Sequence, residues 1–317
     1  MDQELVDSSA VRERMKNEIN NNPELSARQA YDNVVQQIAR EDRGNIPNFE
    51  SARSTIDRER RRHIPEIPTT IADVDINGRW RLTADRRRFL SKLENGWGIA
   101  VYATDDAIEV LGQCDNIFMD GTFKSVPRPY TQLFTIHGFY RDRVIPLVFA
   151  LMVDRHVGSY RQIFGHIRRK YSRITNNQLL PVNIITDFET GLINAAETEF
   201  PQARMYGCFF HFCRSLWRKI QSEGLQRAYS RNEHLRKLVR KIMAIAYLPV
   251  AVVRQNYRYL LQERRTIRLC RRYPGLRNFI NYFTRNYMNG QFPPAIWNVY
   301  QRDMDTRTNN HVECKLL

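Results

Sequence analysis

The sequence predicts an α/β protein in which a mixed sheet lies between two helical regions. Runs rich in aromatic and β-branched residues, typical of strands, occur from about residue 78 to Phe212. Within that region the predicted order is strand, strand, strand, helix, strand, helix, strand, which is typical of a mixed α/β sheet. Before and after it, apolar residues recur at helical spacing.

Residues 1–75 are predicted to form a helical region. Ser8 or Ser9 is the predicted cap of a first helix, "LSARQAYDNVVQQIARE" places its apolar residues on one face, and "NFESARSTIDRERRRH" ends in an arginine-rich turn. The proline-spaced segment "IPEIPTTIADVDI" follows as a linker. Three short helices of which the last is basic are compatible with a helix-turn-helix that binds DNA. A small bundle is favoured, because a run of charge on a helix is usually its solvated side.

Residues 76–317 hold the predicted sheet and the second helical region. "GRWRLT" and "GWGIAVYAT" are predicted strands, "DDAIEVLGQC" is a short helix, and "NIFMD", "YTQLFTIHGFY" and "VIPLVFALMV" form an antiparallel meander. "SYRQIFGHIRRKYSRI" has the apolar spacing of an amphipathic helix. "VNIITD", "TGLINAAETEF" and "ARMYGCFFHF" follow as strand, helix and strand, and from residue 213 onward the pattern is helical.

The charge balance favours a polyanionic partner. Lys and Arg number 49 against 34 Asp and Glu, a net charge of +15, and nucleic acid is the commonest partner of so basic a chain, although a merely basic enzyme stays open. Candidate phosphate contacts are the basic clusters at 86–88, 168–170, 214–219 and 264–272. Candidates for stacking on bases, with core roles favoured for most, are Trp217, Tyr257, Tyr259 and Tyr273.

Compartment and membrane signals are few. No apolar run approaches the roughly 18 residues of a membrane span, so no membrane association is predicted. Five scattered cysteines do not form a disulfide framework and favour a reducing compartment.

Two aspartates end apolar runs of strand type. Asp120 follows "IFM" and Asp187 follows "VNIIT", so each is predicted at the carboxyl end of a strand, where α/β sheets place their sites. If the two strands are neighbours, both carboxylates face one crevice, where a cation such as Mg²⁺ would offset their repulsion. Two structural interpretations stay open: a type I′ hairpin at Asp120-Gly121, and capping of the following helix by Asp187.

Five sequence blocks, in order, resemble the transposase domain of Mutator-like elements, the MULE family. They are "MDGTFKSVP", "QLFTIHGFYRDRVIPLVFALM", "IITDFETGLINAAETEFP", "GCFFHFCRSLWRKIQ" and "WNVYQRDMDTRTNNHVE", and the resemblance covers about residues 80 to 317. It implies an RNase H-like mixed sheet with a large all-helical insertion, preceded here by the small helical N-terminal region. The α/β core would be about 100–212, the insertion about 213–305, and the start of a glutamate-bearing helix 306–317.

The resemblance also implies a catalytic DDE triad and its cofactor. The first acid falls on Asp120, the second on Asp187 and the third on Glu313, and together they would hold Mg²⁺ or Mn²⁺, as two ions. The implied reaction is metal-dependent cleavage at transposon ends, followed by attack of the freed 3′-hydroxyl on target DNA. Glu189, two residues after Asp187, is expected to be a less suitable ligand because it begins a helix or points elsewhere.

Cys208 and His211 form a CxxH motif that the resembled family also carries. Its spacing is half of a zinc site, and Cys213 makes only three candidates where a closed structural site needs four. A structural or substrate-positioning role is therefore favoured over zinc. His137 and His166 lie within apolar patterns and are interpreted as core or surface residues.

The sequence leaves two functions open. The first is a DNA transposase that acts on double-stranded transposon ends and target DNA, as a homo-oligomer, in the nucleus. The second is an inactive, domesticated or truncated transposase that binds DNA as a regulatory protein. Only four residues follow Glu313, so we expect a truncated copy or an incomplete gene model. A plain nuclease of RNase H type is disfavoured, because it would need no helical insertion.

Overall fold

The structure is a computed structural model. It describes residues 7–38, 46–63, 65–123, 126–303 and Arg307. The chain divides into two compact units, Met1–Pro68 and Thr69–Leu317.

The first unit contains three helices in its described part. They are α1 (Ser8–Asn21), α2 (Ala27–Gln37) and α3 (Phe49–Arg62). Their apolar faces meet in one small core built from residues such as Met15, Val34 and Ile56. A capping box between Ser26 and Gln29 begins α2. The predicted serine cap of α1 is wrong, because the helix already includes Ser8 and the cap position is Asp7, whose side chain makes no capping bond.

The second unit is built on a mixed sheet, to which the described residues contribute seven strands. They are β1 (Leu90–Glu94), β2 (Ile99–Tyr102), β3 (Asn116–Thr122), β4 (Gln132–Tyr140), β5 (Arg143–Met152), β6 (Asn183–Thr186) and β7 (Arg204–Gly207). The strand order is β1-β2-β5-β4-β3-β6-β7. The four neighbouring pairs β1–β2, β2–β5, β5–β4 and β4–β3 are antiparallel. The pairs β3–β6 and β6–β7 are parallel. The predicted meander and mixed α/β class are confirmed, and β3 to β7 form an RNase H-like core.

Three helices cover one face of this sheet. They are α4 (Asp105–Gly112), α5 (Val157–Thr175) and α6 (Thr190–Glu199). The predicted amphipathic pattern of α5 is confirmed: Tyr160, Ile163, Phe164 and Ile167 are buried in the main core with residues from β3, β4 and β5. This packing fixes α5 against the strands and so determines where Tyr160 lies.

A helical region follows the sheet. Its elements are α7 (Phe209–Ser222), α8 (Gln226–Arg231), α9 (Glu233–Ala244), α10 (Val250–Gln262), α11 (Arg264–Arg272), α12 (Pro274–Phe283), a π-helical turn (Thr284–Met288) and α13 (Pro294–Trp297). They share a second core around Phe212, Phe283 and the fully buried Trp297. Within the described residues, no helix has both the length and the apolar composition to span a membrane.

Several local predictions are wrong. The predicted strand "GRWRLT" is largely a 3₁₀ turn at Gly78–Arg81, and the edge strand β1 was not predicted. The segment "ARMYGCFFHF" is a strand only as far as Gly207, after which α7 begins at Phe209. Two of its aromatic residues, Phe209 and Phe212, pack in the core of the helical region rather than in a strand.

Candidate metal and nucleic-acid site

The two predicted aspartates lie just beyond the parallel pairing of two neighbouring strands, β3 and β6. Phe118 of β3 pairs with Ile185 of β6, and two further residues along each strand lead to Asp120 and Asp187. Asp120 lies two positions after Phe118 in β3, so the side chains of Asp120 and Phe118 project from the same face of the sheet. The structure therefore brings the two carboxylates together at the carboxyl end of the parallel pair.

Both structural interpretations of these aspartates are wrong. Asp120 and Gly121 lie inside β3, paired with Thr135 and Phe134 of β4, so they do not form a hairpin turn. The cap position of α6 is Glu189 rather than Asp187, and no side chain caps this helix. The chain instead uses Gly121 to make space, because a Cβ there would lie 2.1 Å from Nε2 of Gln132.

Asp120 is a buried carboxylate, with 5% of its surface exposed. Burial raises its pKa, because the charged form loses hydration, while a hydrogen bond from the Gly121 N–H and the positive charge of Arg214 act in the opposite direction. The local environment thus leaves its charge only partly compensated.

The charged form of Asp187 is disfavoured more strongly than that of Asp120. Oδ1 of Asp187 is shielded from solvent and has no hydrogen-bond partner among the described residues, whereas the Glu189 N–H donates to the carboxylate. Burial raises the pKa of Asp187 to about 7, with further increases from the negative charges of Glu189 and Asp120. The positive charge of Arg155 offsets part of this effect.

Glu189 belongs to the same group of carboxylates. Its Oε1 accepts a hydrogen bond of 2.7 Å from the Tyr160 hydroxyl, and Arg155 Nη1 lies 3.8 Å from its Oε2. Burial raises the pKa of Glu189, whereas Tyr160 and Arg155 lower it. The sequence predicts that Glu189 is a less suitable ligand, and the structure places it at the cap position of α6, as one of the two expected reasons.

The CxxH motif reaches this site through the first turn of α7. Cys208 is buried at the cap position of α7, and the Nε2 atom of His211 lies 4.0 Å from Oδ1 of Asp120. Cys213 lies close enough to Cys208 for that thiol to add to the rise in its pKa, to about 12, which is caused mainly by burial. Among the described residues, no group of three or more His, Cys, Asp or Glu is arranged to hold a metal ion.

The other two histidines lie elsewhere in the fold. His137 is buried in β4. His166 is half-buried on α5, where its Nε2 lies 2.8 Å from Oγ of Ser91. Burial and nearby cations lower the pKa of His166 to about 4.

The basic clusters differ in how accessible they are. Lys170 was predicted to be a phosphate contact, but it is buried and binds Asp105 at 2.8 Å, so that prediction is wrong for this residue. Arg168 binds Glu199, and Lys219 binds Glu223. The arginines of α11 are different. Four of them are exposed and belong to none of the described ion pairs: Arg264, Arg265, Arg268 and Arg271.

The aromatic candidates also separate by exposure. Tyr257 is buried in the core of the helical region, and Trp217 packs edge-on against Tyr229. Tyr273 packs at the edge of that core, whereas Tyr259 is 59% exposed. Core roles therefore hold for Tyr257, and Tyr259 is the most accessible of the four.

The donor chemistry at the strand ends fits a hard divalent cation. Asp120 and Asp187 supply carboxylate oxygens, one of which is buried without a partner among the residues that the structure describes, and such oxygens are preferred ligands of Mg²⁺. A cation there would offset the repulsion that raises the pKa of Asp187. Glu313, the third predicted acid, lies outside the described residues, so its place in this site stays a prediction.

These features define an RNase H-like core with a pair of carboxylates just beyond the parallel pairing of β3 and β6. Residues 116–215 match the family model of the MULE transposase domain. The resemblance to Mutator-like transposases is thereby confirmed over this segment, and the match supports a transposase. Among solved structures, the chain is similar to the Drosophila P element transposase strand transfer complex at 12% identity and a TM-score of 0.31. That similarity covers 99% of this chain and 73% of the other. The comparison with curated proteins gives no match.

Proposed function

We propose that this chain is a DNA transposase that cleaves and joins DNA strands with the help of divalent metal ions held by Asp120 and Asp187. The observation that supports the proposal is the position of both carboxylates just beyond the parallel pairing of β3 with β6, with Oδ1 of Asp187 buried and without a partner in the described part of the chain. A structural pair of aspartates would be expected to have a hydrogen bond or a counter-ion for each buried oxygen.

The chain's own residues would hold the cation and shape its surroundings. A bound Mg²⁺ or Mn²⁺ would supply Lewis acidity and activate water or a hydroxyl group for attack on phosphorus. Asp120 and Asp187 would hold it, and His211 lies beside Asp120, where it can orient that carboxylate. Arg155 and Arg214 bring positive charge to the carboxylates and would also attract a phosphate group.

Glu313 is proposed as the third acid by its position in the family motif. Arg307 is the nearest described residue before it, and the Arg307 carbonyl accepts a hydrogen bond of 2.9 Å from the N–H of Phe209, at the start of α7. This is the helix turn that carries His211 to Asp120. Glu313 is six positions after Arg307, a span of at most about 22 Å, so the glutamate is within reach of the site.

The partner is proposed to be double-stranded DNA, comprising transposon ends and target. The net charge of +15 and the exposed arginine face of α11 support a polyanion. Action on two ends favours a homo-oligomer on DNA, and a DNA substrate favours the nucleus; both follow from the proposed reaction. A regulatory DNA-binding protein without catalysis is the alternative outcome of the test below.

The test is cleavage of DNA that carries the terminal inverted repeats flanking the gene, with and without Mg²⁺. We expect nicks at the repeat ends with wild-type protein and at least a 100-fold loss with Asp120→Asn or Asp187→Asn. Asp142→Asn, in the exposed β4–β5 turn, is the matched control and should cleave as wild type. Equal cleavage by all four proteins would refute the site, and DNA binding without cleavage by any of them would support the regulatory alternative.

A further inference from the structure

Trp97 is a large aromatic residue at the surface, with 44% of its area exposed. It ends the 3₁₀ turn Asn95–Trp97 between β1 and β2. Nδ2 of Asn95 donates a hydrogen bond of 2.9 Å to the Val74 carbonyl. Gly98 follows the turn with a φ of 59°, in the left-handed region that favours glycine. The turn therefore fixes the position of a half-exposed indole ring.

A groove leads from this ring along the solvent side of α5. It consists of two adjoining depressions of about 350 and 300 Å³, which share Gly165, Arg169 and Glu199; Trp97 lines the first. Glycines leave this side of the helix open. A Cβ at Gly158 would lie 2.9 Å from the Trp97 ring, and one at Gly165 would lie 3.1 Å from the Arg169 guanidinium. The groove thus has an aromatic end and a floor without side chains.

The charged residues that line the groove are mostly arginines. Arg161 and Arg168 bind the two carboxylate oxygens of Glu199 at 3.0 and 2.9 Å, and both arginines stay exposed. Arg169 is exposed and belongs to none of the described ion pairs. Three arginines against one glutamate leave a net charge of +2 (3 minus 1) along the groove. Because exposed ion pairs are weak, a phosphate group can compete with Glu199 for its partners.

The groove begins close to the carboxylates of the proposed site. Arg155, whose Nη1 lies 3.8 Å from Oε2 of Glu189, precedes Gly158 by three positions. From Gly158 to Arg169 there are 11 positions (169 minus 158), about 16 Å along the helix axis. Successive nucleotides of a stacked strand are about 3.4 Å apart. The groove is therefore long enough for several nucleotides of a strand that leads away from the site.

We propose that this groove binds a single strand of DNA, with an unpaired base stacked on Trp97 and phosphates bound by Arg161 and Arg169. An exposed aromatic ring next to a row of positive charge is the combination that binds single strands, because an unpaired base offers a flat face and the backbone carries regular negative charge. A duplex fits this groove less well, since its bases are already stacked on one another. The inference goes beyond the proposed function, because it requires neither a metal ion nor cleavage.

The test is the affinity for fluorescein-labelled oligo(dT), measured by fluorescence anisotropy with a chelator present. We expect Trp97→Ala to raise the Kd for oligo(dT) by about 5-fold or more, because one stacked base is lost. Trp97→Phe keeps a ring for stacking and should stay within about 2-fold of wild type. Trp80→Ala is the matched control: Trp80 is also 44% exposed but lines neither depression, so its removal should leave the Kd unchanged.

The phosphate contact has its own measurement. Arg169→Gln should make the slope of log K against log salt for oligo(dT) shallower by about 0.7, the value for one phosphate of a single strand. Arg141→Gln, in the exposed β4–β5 turn, removes one charge elsewhere and should leave that slope as in wild type.

A duplex of the same length separates single-strand binding from general attraction to DNA. Wild type and Trp97→Ala should bind the duplex equally; if Trp97→Ala weakens both DNAs to the same extent, or neither, the inference is overturned. It is overturned as well if wild type does not bind oligo(dT) at low salt. Should Trp97→Ala fail to fold, Arg169→Gln still decides, because an unchanged salt slope would contradict the groove. Asp120→Asn should bind oligo(dT) as wild type, so failure of the catalytic proposal leaves this result unaffected.

Discussion

Nε2 of His211 lies 4.0 Å from Oδ1 of Asp120, which connects the CxxH motif to the carboxylate pair. The connection depends on α7, whose first turn begins immediately after β7 and carries the histidine over the sheet face that Asp120 shares with Phe118. The motif therefore has a place beside the proposed site without requiring zinc.

Replacing His211 should impair catalysis while leaving the metal content unchanged. We expect His211→Gln to lower the rate of Mg²⁺-dependent cleavage about 10-fold or more, because a group that orients a metal ligand is lost. The exposed His234→Gln serves as control. Elemental analysis of the purified wild-type protein should show no stoichiometric zinc; bound zinc that His211→Gln removes would contradict the positioning role.

Asp187→Asn should stabilise the metal-free protein, with a defined pH dependence. The folded-state pKa of Asp187, about 7, lies above its ordinary value of 3.8, so between these values the folded state binds more protons than the unfolded state. The contribution of Asp187 to stability therefore falls as pH rises from about 4 to about 7 and is constant above that.

Urea unfolding in the presence of a chelator measures this effect. The variant should be more stable than wild type by about 2 to 4 kcal/mol at pH 8, and the gap should narrow toward pH 4.5. Mg²⁺ should stabilise wild type at pH 8 and have little effect on the variant. If the difference in the free energy of unfolding between variant and wild type is the same at both pH values, the pKa of Asp187 is not raised in the folded state.

Two glycine-to-alanine substitutions should change the free energy of unfolding in opposite directions. A Cβ at Gly191 in α6 would lie 2.5 Å from the backbone oxygen of Arg155, which cannot easily move, so Gly191→Ala should destabilise by about 1 to 3 kcal/mol. A Cβ at Gly165 in α5 meets only the guanidinium of Arg169 at 3.1 Å, which can rotate away. Gly165→Ala should stabilise by about 0.5 to 1 kcal/mol through helix propensity. Thermal unfolding of both variants tests the pair, and a stable Gly191→Ala would contradict the close approach of α6 to Arg155.

The arginine face of α11 should contribute to DNA affinity through phosphate contacts. Arg268→Gln with Arg271→Gln removes two exposed charges, so the slope of log K against log salt should become shallower by about 2. Arg141→Gln in the β4–β5 turn with Arg143→Gln at the exposed start of β5 removes the same charge elsewhere and is the control. Fluorescence anisotropy over a range of salt concentrations measures both; equal slopes for the two double variants would show that α11 has no special role.

Much of the sheet could be predicted because its signals are local. The apolar runs before Asp120 and Asp187 correspond to β3 and β6, and the helical spacing around Tyr160 corresponds to α5. The Asp-Gly pair at 120–121 misled, because its turn preference is overridden by pairing with β4 on one side and packing on the other. Likewise, the aromatic run after Gly207 has strand propensity, yet it forms α7, whose Phe209 and Phe212 pack in the core of the helical region.

The support of the site could not be predicted in the same way. Gln132 precedes Tyr160 by 28 residues and Tyr160 precedes Glu189 by 29, so their contacts depend on how α5 packs on the sheet. Neither residue carries a motif, and each is ordinary for its own element. The same holds for buried Lys170, whose neighbours in sequence suggested an exposed basic cluster.

The most direct test of the central claim is the position of a bound metal. Crystals of the protein soaked in Mn²⁺ should give an anomalous difference peak about 2.1 Å from a carboxylate oxygen of both Asp120 and Asp187. The peak should be absent from crystals of Asp187→Asn under the same conditions. A wild-type crystal at saturating Mn²⁺ with no peak between these two side chains, or with its peak elsewhere, would contradict the account.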